Sequence, residues 1–317
     1  MKRAVAAVLL AVPLLLALAA VRAETPPKSA LLDVDRLLAD LKTLSADDMQ
    51  GREVGTPGGA KARAFVVERF RASGIVSFGE SYEQPFTFQT QSRGAANRQG
   101  VNVIGRIDGR NPNVPARYIV VSAHYDHVGV RNGQVYNGAD DNASGTAALF
   151  ALGKYFSSHP PAHPLIFAAF DAEESGLRGS QAFVRELPVA RAAIAIDLNA
   201  DMLGREDNNT LYVVGTLLQP FLKPFVARIA ATAPVKLVTG HDEAKRGSED
   251  WTRDSDHYSF IEAKIPALYF GVEDFAHIHR PDDDYETITA GFYVHATETF
   301  LAAVQDFDAN LDALPGR

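Results

Sequence analysis

Cysteine is absent from all 317 residues, so no disulfide can hold the fold and no thiol is available for lipid attachment near the N-terminus. Basic residues form no tract and number 31 against 39 acids, which argues against nucleic acid as a partner. Neither a P-loop Lys-Ser/Thr nor a GxGxxG turn is present. The glycine-rich stretch 47–59 (DDMQGREVGTPGG) therefore reads as a loop packed beside the core, not a phosphate cradle. No internal repeat or compositional break divides residues 31–311.

Long apolar runs are missing too, with one exception at the start of the chain. Lys2 and Arg3 precede an apolar run over residues 4–21, and Val21-Arg22-Ala23 sets β-branched and small residues at the −3 and −1 positions of a cut. That is the layout of a secretory signal peptide over residues 1–23. A membrane anchor competes for a run of this length, but Pro13, the alanine content and the small residues before Glu24 favour cleavage. Removing this segment deletes Lys2, Arg3 and Arg22 and no acid, leaving 28 basic and 39 acidic side chains and a formal charge of −11. The expected product is exported to a bacterial periplasm or medium, is not stably inserted in the membrane, and relies on its core, with metal as a possible support.

What is present alternates between helix-like and strand-like patterns. Leu31, Leu32, Val34, Leu37, Leu38, Leu41 and Leu44 fall at helical spacing, and residues 60–73 form a second amphipathic stretch stopped by Gly74. Residues 82–107 alternate as strands around the turn 91–100. Short apolar runs then follow at 118–123 (YIVVSA), 165–170 (LIFAAF), 193–196 (AIAI), 211–214 and 265–271, with helix-like stretches at 144–157, 219–231 and 287–311. Pro224 sits awkwardly in the second of these. Residues 234–239 look strand-like, while 240–257 is polar and reads as a mobile loop carrying the single tryptophan, Trp251. The pattern predicts an α/β fold: a mixed, mostly parallel central sheet with helices on both faces. In such sheets ligands sit beyond the carboxyl ends of the strands.

Acidic and imidazole groups collect at those ends. The run 118–123 leads into HYDHVG and then GADDNASG; 165–170 leads into DAEESG; 193–196 leads into DLNADMLGR; and 265–271 is followed by HIHRPDDD. Taken singly, each is a turn or a helix N-terminus. Together, His124, Asp141, Glu174, Asp201 and His279 lie at or beyond strand ends on one edge of the sheet. Two imidazoles and three carboxylates can hold two zinc ions if one carboxylate bridges, leaving each ion an exchangeable position.

These blocks, in this order, resemble the metallopeptidase family M28, whose members include co-catalytic di-zinc aminopeptidases and related carboxypeptidases. The resemblance rests on HYDHVG (124–129), GADDNASG (138–145), FDAEESGLRGS (170–180), NADMLGR (199–205), SDH (255–257) and HRPDDD (279–284), with LSADDMQGREVGTPGG resembling the family's N-terminal block. It implies a phosphorylase/hydrolase-like zinc exopeptidase fold over residues 24–317 as one peptidase domain, too short to hold an inserted protease-associated domain. It implies His124, Asp141, Glu174, Asp201 and His279 as ligands of two zinc ions, with Asp141 bridging, and Asp126 as the acid that orients His124. Asp140, Asp197 and His277 compete with Asp141, Asp201 and His279 respectively. His127 and His257 read as local structural histidines.

The same resemblance implies Glu173 as the general base, which takes a proton from a water shared by the ions and returns one to the leaving amine. In several relatives a tyrosine near the last histidine, or just before SDH, helps hold the oxyanion. Here Ile278 precedes His279 and Thr252 lies upstream of Ser255; Tyr258, Tyr269 and Tyr285 are nearby but not in matching positions. The expected activity is removal of N-terminal residues from peptides. A carboxypeptidase or dipeptidase is the alternative, since Arg178, Arg205, Arg253 and Arg280 lie near the blocks and could take a substrate carboxylate. Glutaminyl cyclases and inactive binding proteins on the same scaffold fit the intact blocks less well.

Overall fold

The computed structural model describes residues 26–89, 96–110, 117–242 and 249–314. Residues 1–23, the expected signal peptide, and the first half of the 91–100 turn lie outside the described residues, as does part of the polar stretch 240–257. The chain runs α1 (Val34–Leu44), α2 (Pro57–Ala72), β1 (Glu83–Gln89), β2 (Asn97–Ile107), β3 (Tyr118–His124), β4 (Val130–Arg131), β5 (Gln134–Val135), α3 (Gly145–Ser158) and β6 (Leu165–Phe170). It continues through α4 (Arg178–Arg185), β7 (Ile194–Ala200), β8 (Thr210–Val214), α5 (Lys223–Ala230), β9 (Lys236–Thr239), α6 (His257–Glu262), β10 (Ala267–Gly271) and α7 (Ala290–Asn310).

Eight strands form one sheet in the order β1-β2-β6-β3-β7-β10-β8-β9. The four central strands β6, β3, β7 and β10 are parallel to one another, and antiparallel pairings occur at β1–β2, β2–β6 and β8–β10. This is the mixed, mostly parallel sheet that the sequence predicts. Parallel strands need crossovers, and the crossovers here are helices, so both faces are covered and the central strands read as apolar runs without alternation. β6 and β10 are buried along their whole length.

Side chains divide between the two faces by strand period. Ile119, Val121, Ala123, Leu165, Phe167 and Ala169 pack under α1, α2, α3, α5 and α7, while Val120, Ile166 and Ala168 meet Phe183 of α4 and Phe260 of α6. Because β3, β6, β7 and β10 are parallel, their carboxyl ends share one edge, which brings distant segments together there.

Two boundaries differ from expectation. α2 begins at Pro57, inside the stretch read as loop: the Thr56 hydroxyl accepts from the Gly59 amide (3.1 Å) and proline occupies the first turn. Gly58 and Gly59 are required by close approach, since a Cβ at either would collide with the carbonyl of Met49 or Glu53. Pro224 likewise lies in the first turn of α5, where its missing N–H costs nothing. The hairpin β4–β5 and the short helices α4 and α6 carry too few apolar positions to show a period.

Candidate metal centre

His124 is the last residue of β3, and Asp126 and His127 follow in the turn that leaves it. Asp171, Glu173 and Glu174 follow β6, Asp201 is the residue after β7, and His279 lies in the loop beyond β10. Asp141 is carried by a wide helical turn over Ala139–Ser144 that opens α3, in which the Asp141–Asn142 peptide is cis. The turn is fastened to β7 by its own side chains. Asn142 donates to the Ala200 carbonyl (3.0 Å) and accepts from the amides of Gly145 and Met202 (2.9 and 3.2 Å). Asp283 accepts from the amides of Asp140 and Asp141 (2.9 and 3.1 Å) and pairs with Arg205 (2.7 Å).

Asp141 faces two groups at once. Its Oδ1 lies 3.3 Å from His124 Nε2, which is also 3.2 Å from Asp201 Oδ1. Its Oδ2 lies 3.2 Å from His279 Nε2, which is 2.8 Å from Glu174 Oε2. All five residues singled out from the sequence thus meet around one carboxylate. Asp140 instead accepts from the Gly204 amide (2.6 Å) and the Ser144 hydroxyl (3.3 Å). Asp197 accepts from Ser122 within the sheet (2.8 Å), and His277 pairs with Asp274 (2.7 Å). Ser255 of the SDH block, anchored by Asn199, donates to Asp201 Oδ2 (2.7 Å).

Asp126 uses its carboxylate differently from expectation: Oδ1 accepts from the Glu173 amide (3.0 Å) and stands 3.7 Å from His124 Nδ1, which meets the Asp126 carbonyl instead (3.1 Å). His127 departs further. Its Nδ1 lies 2.7 Å from Glu174 Oε1 and 3.6 Å from Asp141 Oδ2, so it belongs to the cluster. Two histidines three residues apart in one turn are the sequence signal that could have shown this.

The electrostatics are those of acids crowded out of water. Burial, joined by Asp256, Glu174 and Asp201, pushes the Glu173 carboxyl well above the ordinary range against the pull of His124. Burial works the same way on Asp141, but the imidazoles of His127, His124 and His279 outweigh it and hold Asp141 well below that range. The carboxylates of Asp141 and Glu174 close beside it raise His279 to about 10. Behind the cluster, the wholly buried Arg52 donates to the carbonyls of Tyr125, Leu44, Asn137 and Gly138 (2.5–2.9 Å). Backbone strain collects here as well: Ala172, Met202 and His279 have φ of 59°, 64° and 54°, in the left-handed region.

The donors fit a cation. Asp141 Oδ2, Glu174 Oε1 and both ring nitrogens of His127 are buried without a hydrogen-bond partner. Among the described residues, two sets, His124–Asp141–Asp201 and His127–Asp141–Glu174, each bring three ligand atoms within 4.8 Å of one another. Imidazole and carboxylate in that ratio suit zinc.

A cavity of about 460 Å³ opens over the cluster. Glu173, Tyr269, Glu249, Asp254 and Arg253 line it, with Leu177, Met202, Trp251, Val272, Phe275 and Ile278 as apolar walls. Of the three tyrosines near the motif blocks, Tyr269 is the one that reaches it; burial and the charges of Asp201, Asp141 and Glu173 keep its hydroxyl protonated.

The sequence profile described as peptidase family M28 matches residues 102–304. Leupeptin-inactivating enzyme 1 of Streptomyces exfoliatus is 30% identical over 257 residues, 79% of this chain and 52% of its own length. Aminopeptidase YwaD of Bacillus subtilis is 29% identical over 237 residues, 72% of this chain and 49% of its own. The chain therefore spans about half the length of the curated relatives it matches. The fold is shared with a solved zinc aminopeptidase, BSAP from Bacillus subtilis, at a TM-score of 0.71 and 18% identity over 89% of this chain and 96% of that one. The chain belongs to peptidase family M28, and its acidic edge carries two groups of side chains that could each hold a metal ion.

Proposed function

We propose that residues 24–317 act as one exported, di-zinc aminopeptidase domain without an inserted protease-associated domain, delivered by the signal peptide 1–23 to the periplasm or medium. Among the described residues no helix is long and apolar enough to cross a membrane. The observation that carries it is Asp141, whose two oxygens turn to two separate imidazole–carboxylate groups. His124 and Asp201 would hold one zinc, Glu174 and His279 the other, and Asp141 both. Zinc bound there supplies a Lewis acid for the peptide carbonyl and makes water acidic enough to deprotonate near neutrality.

The chain's own residues do the rest. Glu173 lines the cavity on a backbone pinned to Asp126, in a water-poor setting that raises its proton affinity, so it accepts a proton from water and passes one to the departing amine. Tyr269 offers a protonated hydroxyl to the oxyanion. The arginines that could take a substrate carboxylate are mostly engaged: Arg205 pairs with Asp274 and Asp283, Arg178 bonds to Ser175 and Gln181, and Arg280 pairs with Asp282. Arg253 alone of the four lines the cavity, beside Glu249 and Asp254, and it lies over the Tyr258 ring. The surplus of acid favours an α-ammonium, and the apolar walls favour an uncharged N-terminal side chain.

Digestion of Leu-Ala-Gly by the zinc-loaded chain tests this. Release of leucine is expected, abolished by N-acetylation and tolerant of a C-terminal amide. Release of glycine would make the chain a carboxypeptidase, and cyclisation of an N-terminal glutamine peptide would make it a cyclase.

A further inference from the structure

We propose that His127 is a metal ligand, giving the centre formed by Glu174 and His279 two imidazoles where the centre of His124 and Asp201 has one. The inference rests on the dinuclear reading above. His127 is fully buried, while His279 is 53% exposed on its loop. Glu174 faces one ring with each oxygen, Oε1 to His127 at 2.7 Å and Oε2 to His279 at 2.8 Å. The two rings stand 5.9 Å apart on opposite sides of that carboxylate.

Direction matters more than distance. Despite the 2.7 Å approach, neither ring nitrogen of His127 makes a hydrogen bond, and neither do Glu174 Oε1 and Asp141 Oδ2. Buried polar atoms this close are ordinarily aimed at each other. Instead the ligand atoms of His127, Asp141 and Glu174 lie within 4.8 Å of one another, as ligands of one cation do. Zinc–donor bonds of about 2.0 Å imply tetrahedral donor–donor edges of roughly 3.3 Å. His124 to Asp141 measures 3.3 Å, His279 to Asp141 3.2 Å and His127 to Asp141 3.6 Å, so His127 fits the pattern of the other two.

The consequence is an unequal pair of sites. The centre with His127 has a ligand held in place by the core before metal arrives, while His279 closes it from a half-exposed loop. That centre fills first and empties last under a chelator, and it keeps its ion when His279 is replaced by alanine.

The test uses the full mature chain loaded with cadmium-113, with proton–cadmium correlations read from the histidine ring protons. Three histidines are expected to couple, two to one ion and one to the other, and His127→Gln should remove one of the pair. The wild-type spectrum decides even where that variant fails to fold. One histidine on each of two ions would overturn the role of His127 and leave the dinuclear site standing. Failure to bind cadmium or zinc would sink both.

Discussion

Glu173 and Glu174 are neighbours in sequence with opposite surroundings. Glu174 is held by His127 and His279, which lower its carboxyl although burial and Asp141 push it up, whereas burial and acidic neighbours raise Glu173. The proposed ligand and the proposed base are thereby separated by environment alone. Glu173→Gln is nearly isosteric and touches no ligand, so it should retain zinc, measured by metal analysis, while kcat falls roughly a hundredfold to ten-thousandfold. Unchanged turnover in the zinc-replete variant would contradict that role. At this scale the motif blocks made the five clustered residues legible, because each falls at or beyond the carboxyl end of a strand. His127 was not, because counting one imidazole for each ion left it without a task. Asp126 was legible as a support, but that its carboxylate would reach the Glu173 amide depends on how two turns meet.

At the scale of elements, Arg52 joins the end of α1, the turn after β3 and the turn before Asp141. Its side chain takes four backbone carbonyls from these segments, and its charge sits behind Asp141, Asp283, Asp126 and Glu174. Burial lowers its pKa to about 10, which still leaves it charged at neutral pH. Arg52→Met fills the space but orphans the carbonyls and removes the counter-charge. A loss of about 3 kcal/mol or more is expected in urea unfolding, with no change in slope. A shift under about 1 kcal/mol would show that water replaces the guanidinium. This arginine was hidden in a stretch that reads as a glycine-rich loop, since three of its four partners lie 73 to 86 residues away in sequence. The strands were legible from their apolar runs; α4 and α6, of eight and six residues, were too short to display a helical face.

For the whole molecule, sheet class and the functional edge followed from the alternation of apolar runs and helices. Strand order did not, because nothing local records that β6 lies between β2 and β3. Stability of the whole fold should depend on pH through His257, which burial holds at about 3, below its ordinary 6.5. The unfolded chain then binds the extra proton, so this contribution is present above about pH 6.5 and is lost as pH falls toward 3. By pH 5 the loss is about 2 kcal/mol. The carboxyls of Asp171 and Asp256, which burial raises to about 7, act in the opposite direction, so the comparison must be differential. The stability advantage of the wild type over His257→Asn should shrink by that amount between pH 7 and pH 5. An advantage independent of pH would show that His257 is not the titrating group.

The central claim is that one carboxylate, Asp141, joins two metal sites at the carboxyl ends of four parallel strands. Anomalous diffraction at the zinc edge from crystals of the zinc-loaded chain measures this directly. Two peaks are expected, about 3.5–4 Å apart, one beside each oxygen of Asp141. A single peak there at full zinc loading, or two peaks that do not share Asp141, would contradict it.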